Sequence, residues 1–456
     1  MKNKLVRGLT SSHRSLRLAA GAMVLLGLIA GAQAQVTTRA SVADNEAQGN
    51  GDSPDVGARI SGNGQYVAFR SVATNLVGLG VDTNGYSDVF VRDLIGGTTT
   101  RVSVADGIFG AQAVGGDSNN PSISADGRFV AFTSHATNLV AGDTNGKSDV
   151  FVRDTVLETT TRVSVAWDGV EGNFESDSSA ISADGQIIAF RSLATNLVPG
   201  DTNAYSDVFV RAAGTTTLVS VATDGLSGGN GQSGLTQTAV SADGSTVGFS
   251  SSASNLVASD TNGAVSDVFI RKNNATTLIS KTTTGLQGQS GSYSVALSTD
   301  GSIAAFTSYN NMVNGDTNGE LDVFVRDTNN TGTTTRVSIA SGANGAQGNR
   351  ASGNSNGWGI AISGDGTKVA FQSLATNLVK KDTNGFEDIF LRNRSTNSTT
   401  MVSVTPSGGL ANGSSGGLNT CGVSMSADGV SVMFCSYATN LVTGDTNGFM
   451  DVFVRK

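Results

Sequence analysis

Carboxylate and amide side chains recur along this chain in a short segment, which reads GDTNGKSDVFVRD at residues 142–154. Asp-Thr-Asn opens seven such segments, and successive copies begin 56 to 66 residues apart. The first copy places Asp82, Asn84 and Asp88 close together, and Gly85 allows a sharp turn between them. Ca²⁺ takes about six to eight oxygen ligands from carboxylates, amides, main-chain carbonyls and water, and it tolerates irregular geometry. The sequence therefore predicts a calcium site in each copy.

The predicted ligands are two aspartates and one asparagine in every copy. They are Asp82, Asn84, Asp88, Asp143, Asn145, Asp149, Asp201, Asn203, Asp207, Asp260, Asn262, Asp267, Asp316, Asn318, Asp322, Asp382, Asn384, Asp388, Asp445, Asn447 and Asp451. Main-chain carbonyls and waters would complete each coordination shell. Mg²⁺ suits these segments less well, because it keeps its waters and demands a strict octahedron.

The same side chains are also typical of a turn without a ligand. Asp and Asn cap turns through their own side chains, and Asn-Gly favours left-handed backbone conformations. An EF-hand loop is matched only in its Asp-x-Asn opening, since the bidentate acid that closes such a loop is absent. Ala204 replaces the glycine in the third copy, and the fourth copy has one more residue between Asp260 and Asp267. A calcium site and a structural turn are both open interpretations, and ion binding would be weakest in these two copies.

The Asp-Thr-Asn segments lie between predicted β-strands. In the second copy, at residues 121–166, turn signals separate four runs rich in β-branched and aromatic residues: PSIS, RFVAFTS, DVFVRD and TTTRVSVA. An Ala-Asp-Gly turn joins the first two runs, and the Asp-Thr-Asn segment joins the second to the third. Four short strands in each period of about 60 residues are the signature of a β-propeller blade.

The positions of the phenylalanines support a count of seven blades. Fourteen of the 19 phenylalanines occupy one slot in the second strand or one slot in the third strand of each copy. They are Phe69, Phe90, Phe132, Phe151, Phe190, Phe209, Phe249, Phe269, Phe306, Phe324, Phe371, Phe390, Phe434 and Phe453. A blade cannot bury both of its faces alone, so these side chains are predicted to form the cores between neighbouring blades.

The two ends of the chain predict how the array of blades closes. The seventh copy ends with DVFVR at residues 451–455 and lacks its fourth strand. That strand occurs instead as TTRASVA at residues 37–43. A ring that is closed by an N-terminal strand requires this offset, and closure removes exposed sheet edges. The predicted fold is all-β, a seven-bladed β-propeller of four-stranded blades in which the N-terminal strand completes the last blade.

The two cysteines are predicted to be cross-strand neighbours. The SADG turn at residues 426–429 suggests that Ser426 faces Val430, so that the numbers of paired residues sum to 856. The numbers of Cys421 and Cys435 give the same sum. Two such thiols in an exported protein are expected to form a disulfide. The alternative is a pair of small buried residues without a bond.

Residues 1–34 have the layout of a secretory signal peptide. Five basic residues and no acid precede an apolar run at residues 19–30, which is too short to span a bilayer. Ala-Gln-Ala at residues 32–34 is a small-x-small cleavage site. The mature chain is therefore predicted to be a single propeller at residues 35–456, exported to the bacterial periplasm or to the outside of the cell.

The predicted mature chain is strongly acidic. Loss of five basic residues lowers their number from 29 to 24 against 37 acidic residues, which gives a formal charge of −13. Nucleic acids and anionic lipids are poor partners for such a chain, because like charges repel. No later segment is long and apolar enough for membrane insertion. The acidity instead suits cations.

Histidine, which many catalytic sites need, occurs only at His135 in the predicted mature chain. Catalytic triads, Cys-His dyads and multi-histidine zinc sites all require imidazole, so the sequence favours a non-enzymatic protein. The alternative is a secreted polysaccharide lyase or hydrolase, and acids that break the repeat are its candidate residues: Glu171, Glu175 and Asp177, near Trp167. Trp167 and Trp358 lie in long crossovers, which are expected to gather on the same face as the Asp-Thr-Asn loops and form a candidate ligand face.

Three repeated motifs resemble a known family. ISADGRFVAF resembles the WD-like propeller repeat of the TolB family. Together with DTNGxxDVFVRD and TTTRVSV, it resembles exported bacterial repeat proteins that are described as TolB-like or calcium-binding, over nearly all of residues 37–456. We therefore expect an exported calcium-binding β-propeller that acts as a non-enzymatic binding module for a protein or glycan partner. A purely structural surface protein is a further alternative.

Overall fold

The computed structural model describes most of the predicted mature chain, namely residues 35–53, 57–78, 80–107, 110–329, 332–417 and 422–456. All regular secondary structure in these ranges is β. The same ranges contain no helix that is long and apolar enough to cross a membrane. The predicted signal peptide at residues 1–34 lies outside the described residues.

Seven four-stranded antiparallel sheets form the blades. Blade 1 contains β2 Ala58–Ile60, β3 Tyr66–Ser71, β4 Asp88–Asp93 and β5 Thr98–Arg101. Blade 2 contains β6 Ser118–Ile123, β7 Phe129–Ser134, β8 Asp149–Asp154 and β9 Thr159–Arg162. Blade 3 contains β10 Ser176–Ile181, β11 Ile187–Ser192, β12 Asp207–Ala212 and β13 Thr215–Leu218.

The remaining blades repeat this order. Blade 4 contains β14 Ala239–Val240, β15 Thr246–Ser251, β16 Asp267–Lys272 and β17 Ala275–Leu278. Blade 5 contains β18 Ser292–Leu297, β19 Ile303–Ser308, β20 Asp322–Asp327 and β21 Thr334–Arg336. Blade 6 contains β22 Ile360–Ile362, β23 Lys368–Ser373, β24 Asp388–Asn393 and β25 Ser398–Met401. Blade 7 contains β26 Ser424–Met425, β27 Val432–Ser436, β28 Asp451–Arg455 and β1 Thr37–Arg39.

The N-terminal strand closes the ring as predicted. Strand β1 pairs with the last strand, β28, and Thr38 lies opposite Val454. Apolar clusters fill all seven interfaces between neighbouring blades. One of these clusters packs Phe69 and Phe90 of blade 1 against Val452 of blade 7, which completes the circle. The predicted seven-bladed propeller is therefore confirmed.

The fourteen repeated phenylalanines are all fully buried in these interfaces. Within each blade, the phenylalanine of the second strand lies opposite that of the third, and the ring centroids are 5.8–6.0 Å apart. Stacked rings at this distance add to the free energy gained by burying their surface. Their predicted role as core residues between blades is confirmed.

The turns between first and second strands are one residue longer than predicted. In blade 2, the Ser124 hydroxyl donates to Asp126 Oδ1 at 2.6 Å and accepts the Phe129 N–H at 2.9 Å. Ser124 and Phe129 therefore face each other across four loop residues. Gly127 adopts φ of 82°, a left-handed conformation that suits glycine.

The same turn changes the predicted register of blade 7. Met425 lies opposite Val432, so the numbers of paired residues sum to 857, and the predicted sum of 856 is wrong by one residue. Asp428 Oδ1 accepts the Ser426 hydroxyl at 2.5 Å and the Val430 N–H at 2.9 Å, which holds Val430 inside the loop. Cys421 lies outside the described residues, so its disulfide with Cys435 stays a prediction.

Candidate cation sites in the Asp-Thr-Asn loops

Each Asp-Thr-Asn loop joins the second and third strands of its blade, and the loops are numbered 1 to 7 after the blades. Every loop has a first aspartate, such as Asp82, and a second aspartate, such as Asp88, which begins the third strand. All seven second aspartates are at most 1% exposed, and five of the first aspartates are also buried. Buried carboxylates need partners or counter-charges, so their surroundings decide what each loop can bind.

A serine that follows the fourth strand of each blade forms a hydrogen bond to the second aspartate. In loop 1 the Ser103 hydroxyl donates to Asp88 Oδ1 at 2.5 Å and accepts the Val89 N–H at 3.0 Å. The corresponding serine makes the same pair of hydrogen bonds in each of the other six loops. One oxygen of every second aspartate is thereby used inside its own blade.

The asparagine is also used inside the loop. Asn84 Nδ2 donates to Asp88 Oδ2 at 2.9 Å and to the Ala113 carbonyl at 3.0 Å, while its Oδ1 accepts the Tyr86 N–H at 3.0 Å. The amide donates to the second aspartate in all seven loops. Its oxygen accepts a backbone N–H in six of them. In loop 4, which contains the extra residue, Asn262 Oδ1 is buried without a hydrogen-bond partner among the described residues.

An arginine lies between the two aspartates in four loops, which we call the closed loops. In loop 1, Arg101 Nη1 is 3.4 Å from both Asp82 Oδ1 and Asp88 Oδ2. The four arginines and their aspartates are Arg101 with Asp82 and Asp88, Arg162 with Asp143 and Asp149, Arg336 with Asp316 and Asp322, and Arg39 with Asp445 and Asp451. The closed loops therefore contain a fixed cation of their own.

Leucine or methionine replaces this arginine in loops 3, 4 and 6, at Leu218, Leu278 and Met401. Loop 4 has a neutral substitute, since Gln287 Nε2 donates to the first aspartate at 2.9 Å and to the second at 2.7 Å. Gln287 lies in the connection to the next blade, where it forms a β-bridge with Lys281. The residues that form the equivalent bridges are Gly228 beside loop 3 and Leu410 beside loop 6. Loops 3 and 6 thus have neither the arginine nor the glutamine, and we call them the open loops.

Both open loops contain a buried carboxylate oxygen without a partner. Asp201 in loop 3 and Asp382 in loop 6 are each 7% exposed. Oδ1 of each side chain is buried and has no hydrogen-bond partner among the described residues. The same is true of Asp143 Oδ1 and Asp445 Oδ1 in closed loops 2 and 7, but those oxygens lie 3.6 and 3.2 Å from an arginine. Within the same part of the chain, no basic side chain forms an ion pair with either aspartate or with their neighbours Asp207 and Asp388.

Burial is the main cause of the raised pKa values of these carboxyls. It raises the pKa of Asp207 and of Asp382 to about 6, and the charge of the neighbouring aspartate contributes in both cases. Burial and Asp88 also raise the pKa of Asp82 to about 6, although the Arg101 charge lowers it. The closed and open loops therefore differ less in pKa than in the fixed positive charge that only the closed loops contain.

Loop 2 has a third carboxylate. Oxygen atoms of Asp143, Asp149 and Glu171 lie within 4.8 Å of one another. Arg162 Nη1 is 2.7 Å from Glu171 Oε2, and the same glutamate oxygen accepts the Thr144 N–H at 3.1 Å. These contacts lower the pKa of Glu171 in spite of its partial burial. Three acids surround one arginine here, so loop 2 keeps an excess of negative charge.

The acids that were considered for catalysis are separately paired. Besides the contact of Glu171 with Arg162, Glu175 lies 2.9 Å from Lys147 Nζ, and Asp177 lies 3.7 Å from Arg191 Nη1. The two tryptophans of the predicted ligand face have different surroundings. Trp167 is 60% exposed, whereas Trp358 is 7% exposed.

Sequence reasoning missed the arginine that separates closed from open loops. In the sequence this arginine belongs to the TTTR strand, and its position next to the loop depends on pairing between the third and fourth strands. The signal was present in the repeat itself, because this position reads Arg in four copies, Leu in two and Met in one.

Comparisons with known proteins give the fold and no family. No family model matches the chain, and no curated protein matches it. Among solved structures, an acylaminoacyl peptidase in complex with Z-Gly-Gly-Phe-chloromethyl ketone is 11% identical with a TM-score of 0.50, over 89% of this chain and 51% of that chain. A prolyl endopeptidase is 12% identical with a TM-score of 0.49, over 89% and 50%. The putative TolB from Agrobacterium tumefaciens is 16% identical with a TM-score of 0.37, over 62% and 79%.

This chain spans about half the length of the two peptidases. Likeness at such low identity shows the propeller fold alone, so the function has to be argued from the loops themselves.

Proposed function

We propose that this chain is an exported, calcium-stabilised β-propeller that acts as a non-enzymatic binding module, with calcium bound in open loops 3 and 6. One observation carries the calcium proposal. Asp201 with Asp207, and Asp382 with Asp388, are pairs of buried carboxylates for which the described chain provides no cationic partner. In four other blades the same place contains an arginine. The sequence predicts weak ion binding in loop 3 because Ala204 replaces the glycine there. Ala204 nevertheless adopts a left-handed φ of 59°, close to the 75° of Gly85 in loop 1, so the turn is kept and loop 3 stays a candidate site.

The free energy of the open loops favours a bound cation. Two carboxylates that are buried side by side lose hydration and repel each other, so their ionised forms are costly without a counter-charge. At neutral pH, carboxyls with a pKa of about 6 are mostly ionised. A divalent cation would neutralise both charges of a loop. Only oxygen ligands are present in irregular geometry, which suits Ca²⁺ better than Mg²⁺ or Zn²⁺.

Comparison with the closed loops identifies a main-chain carbonyl that could serve as a third oxygen ligand for calcium in the open loops. Arg101 Nη2 donates to the Val81 carbonyl at 3.3 Å, and Arg162 Nη2 donates to the Gly142 carbonyl at 2.9 Å. In both loops this carbonyl belongs to the residue before the first aspartate. The corresponding carbonyls of the open loops are those of Gly200 and Lys381, and neither accepts a backbone hydrogen bond in the described chain. Each open loop therefore offers two carboxylates and one carbonyl, and water would complete the shell.

Exposed aromatic side chains support a binding role for the same face. The residue that follows Asp-Thr-Asn-Gly, or Asp-Thr-Asn-Ala in loop 3, is aromatic in four loops, and these side chains are 37–43% exposed: Tyr86, Tyr205, Phe386 and Phe449. They occupy the same position in the loops of blades 1, 3, 6 and 7, and exposed aromatic side chains, Tyr above all, are enriched at interaction surfaces. Calcium in loops 3 and 6 would order the segments that present Tyr205 and Phe386 to a protein or glycan partner.

Thermal unfolding in chelator and in stepwise calcium tests the proposal. We expect calcium to stabilise the purified protein by mass action, by about 2.7 kcal/mol per site at a concentration 100 times the Kd. The double variant Asp201→Asn with Asp382→Asn is expected to lose this response. Asp316→Asn, in closed loop 5, is the matched control and keeps it. Melting curves of the unmodified protein that are identical with and without calcium would contradict the proposal.

A further inference from the structure

The innermost strands of the seven blades surround a central channel, and one residue in it breaks the repeat. Arg59 lies in β2 opposite Ala68. The strand register places six small residues at the corresponding position of the other blades: Ser122, Ala180, Ala239, Ala296, Ala361 and Ser424. Arg59 is thus the only large and charged member of this ring, and the small residues leave space for its side chain.

The Arg59 guanidinium has few partners. Its Cζ lies 4.6 Å from the centroid of the Trp358 ring, and its Nη1 donates to the Ala58 carbonyl at 2.9 Å. No carboxylate of the described residues forms an ion pair with it. Burial lowers the pKa of Arg59 to about 10, which still leaves the side chain charged at neutral pH.

Four further polar side chains line the same cavity, which has a volume of about 240 Å³: Ser122, Gln237, Thr238 and Ser424. Thr238 donates to the Ser178 carbonyl and Ser424 accepts the Ile60 N–H, so both are already partnered. The Ser122 hydroxyl is buried and has no hydrogen-bond partner among the described residues. The Gln237 side chain is 6% exposed, and in this part of the chain its amide makes no hydrogen bond. Arg59, and the side chains of Ser122 and Gln237 that make no hydrogen bond to the described residues, therefore border one cavity, whose wall is otherwise mainly alanine and aliphatic.

We propose that this channel is a binding site for a small carboxylate, which would pair with the Arg59 guanidinium and receive hydrogen bonds from Ser122 and Gln237. Guanidinium binds carboxylate through two parallel hydrogen bonds. Trp358 covers one face of the Arg59 guanidinium and Nη1 donates to the Ala58 carbonyl, while the edge formed by Nε and Nη2 makes no hydrogen bond to the described residues. A partly buried cation that has no counter-charge among the described residues is costly, and a bound anion offsets that cost. The alanine wall would pack against the hydrocarbon part of the ligand.

The size of the cavity limits the ligand. Pockets for drug-sized molecules usually have about 300–1,000 Å³, so a cavity of about 240 Å³ suits a carboxylate with a few carbon atoms. Propionate is a suitable probe. The inference is independent of calcium in the open loops, because none of the loop aspartates lines the channel.

Trp358 provides a local signal for the test. In a Trp167→Phe background, its fluorescence is recorded during titration with propionate at constant ionic strength, and calorimetry on the same samples measures binding without a fluorophore. We expect saturable binding by both methods. Arg59→Ala restores the residue found in four other blades, so it should fold with an unchanged far-UV spectrum and lose at least tenfold in affinity.

Two further samples make the test specific. Arg59→Lys keeps the positive charge but cannot form a bidentate pair with a carboxylate, and we expect this variant to bind propionate more weakly than the unmodified protein. Inorganic phosphate is the competing anion, and tighter binding of phosphate than of propionate would overturn the carboxylate assignment. Absence of saturable heat, or equal affinity in Arg59→Ala, would overturn the site itself.

Discussion

Loops 1 and 3 share their turn and the hydrogen bonds of their second aspartate, and two residues beside the aspartates differ: Arg101 and Gln112 in loop 1 correspond to Leu218 and Gly228 in loop 3. Both have a serine on the second aspartate and an asparagine that joins this aspartate to the crossover. Arg101 lies between the carboxylates of loop 1, whereas Leu218 occupies that strand position in loop 3. The repeat therefore preserves the geometry of the loop while leaving its charge to be balanced differently from blade to blade.

The largest effect is expected when a closed loop is opened. Arg101→Leu leaves Asp82 and Asp88 buried without their counter-charge, and we expect the free energy of unfolding in chelator to fall by about 4 kcal/mol. The variant should also gain a calcium response that the unmodified loop 1 lacks. Urea unfolding with and without calcium measures both changes. Arg128→Leu removes a more exposed arginine from Asp154 and serves as control, with a much smaller loss, because surface ion pairs contribute little to stability.

The two open loops differ from each other at the residue before the second aspartate, which is Ser206 in loop 3 and Glu387 in loop 6. Glu387 is 6% exposed, and burial, with a contribution from Asp388, raises its pKa from 4.5 to about 7. An acid whose pKa is raised on folding makes its full contribution to stability at pH values below the pKa that it has in the unfolded chain. This stabilisation is lost as the pH rises from about 4.5 through about 7.

Glu387→Gln removes this titration. We expect the variant to be more stable than the unmodified protein at pH 8 by about 3 kcal/mol, following from the pKa difference, and the two to converge at pH 4. Chemical unfolding across this pH range measures the difference. Glu320→Gln, at an exposed position of loop 5, is the control. A stability difference for Glu387→Gln that does not vary with pH would show that the carboxyl is not the cause.

The smallest effect is expected when an open loop is closed. Leu218→Arg would place a guanidinium between Asp201 and Asp207. We expect the free energy of unfolding in chelator to rise by about 1 kcal/mol, because the new charge-assisted hydrogen bonds stabilise the loop by more than the packing of a half-buried leucine does. Loop 3 should then stop binding calcium, which calorimetry would detect as the loss of one site. Leu278→Arg in loop 4 is the control without gain, because Gln287 already donates to both aspartates. An unchanged number of calcium sites in Leu218→Arg would refute the comparison.

The sequence predicted the fold well because each of its signals is local. Strand runs, Asp-Gly turns and the two phenylalanine slots repeat within one blade, and seven copies with an offset end leave little freedom in topology. The hairpin register was one residue wrong because it depends on side-chain hydrogen bonds of Asp428 inside the turn.

The candidate sites were less predictable because they depend on contacts between segments. The repeated aspartates were visible, but their partner Arg101 follows Asp88 by 13 residues on another strand. Trp358 was placed on the ligand face by its crossover, yet it packs over Arg59 in the channel, where Gly57 leaves room for its ring. Only alignment of all seven inner strands shows that Arg59 stands where the other blades have Ala or Ser.

Arg39 connects the closure of the ring to the chemistry of loop 7. It lies in the N-terminal strand, and its Nη1 is 3.2 Å from both Asp445 and Asp451 at the other end of the chain. This strand precedes the other strands of all seven blades in the chain, and it can pair with its partner only when the last blade is present. Until then, loop 7 has the charge of an open loop, and calcium would compete with Arg39 for its carboxylates. On the proposal that open loops bind calcium, the last step of assembly would be an exchange of counter-ions as well as the pairing of two strands.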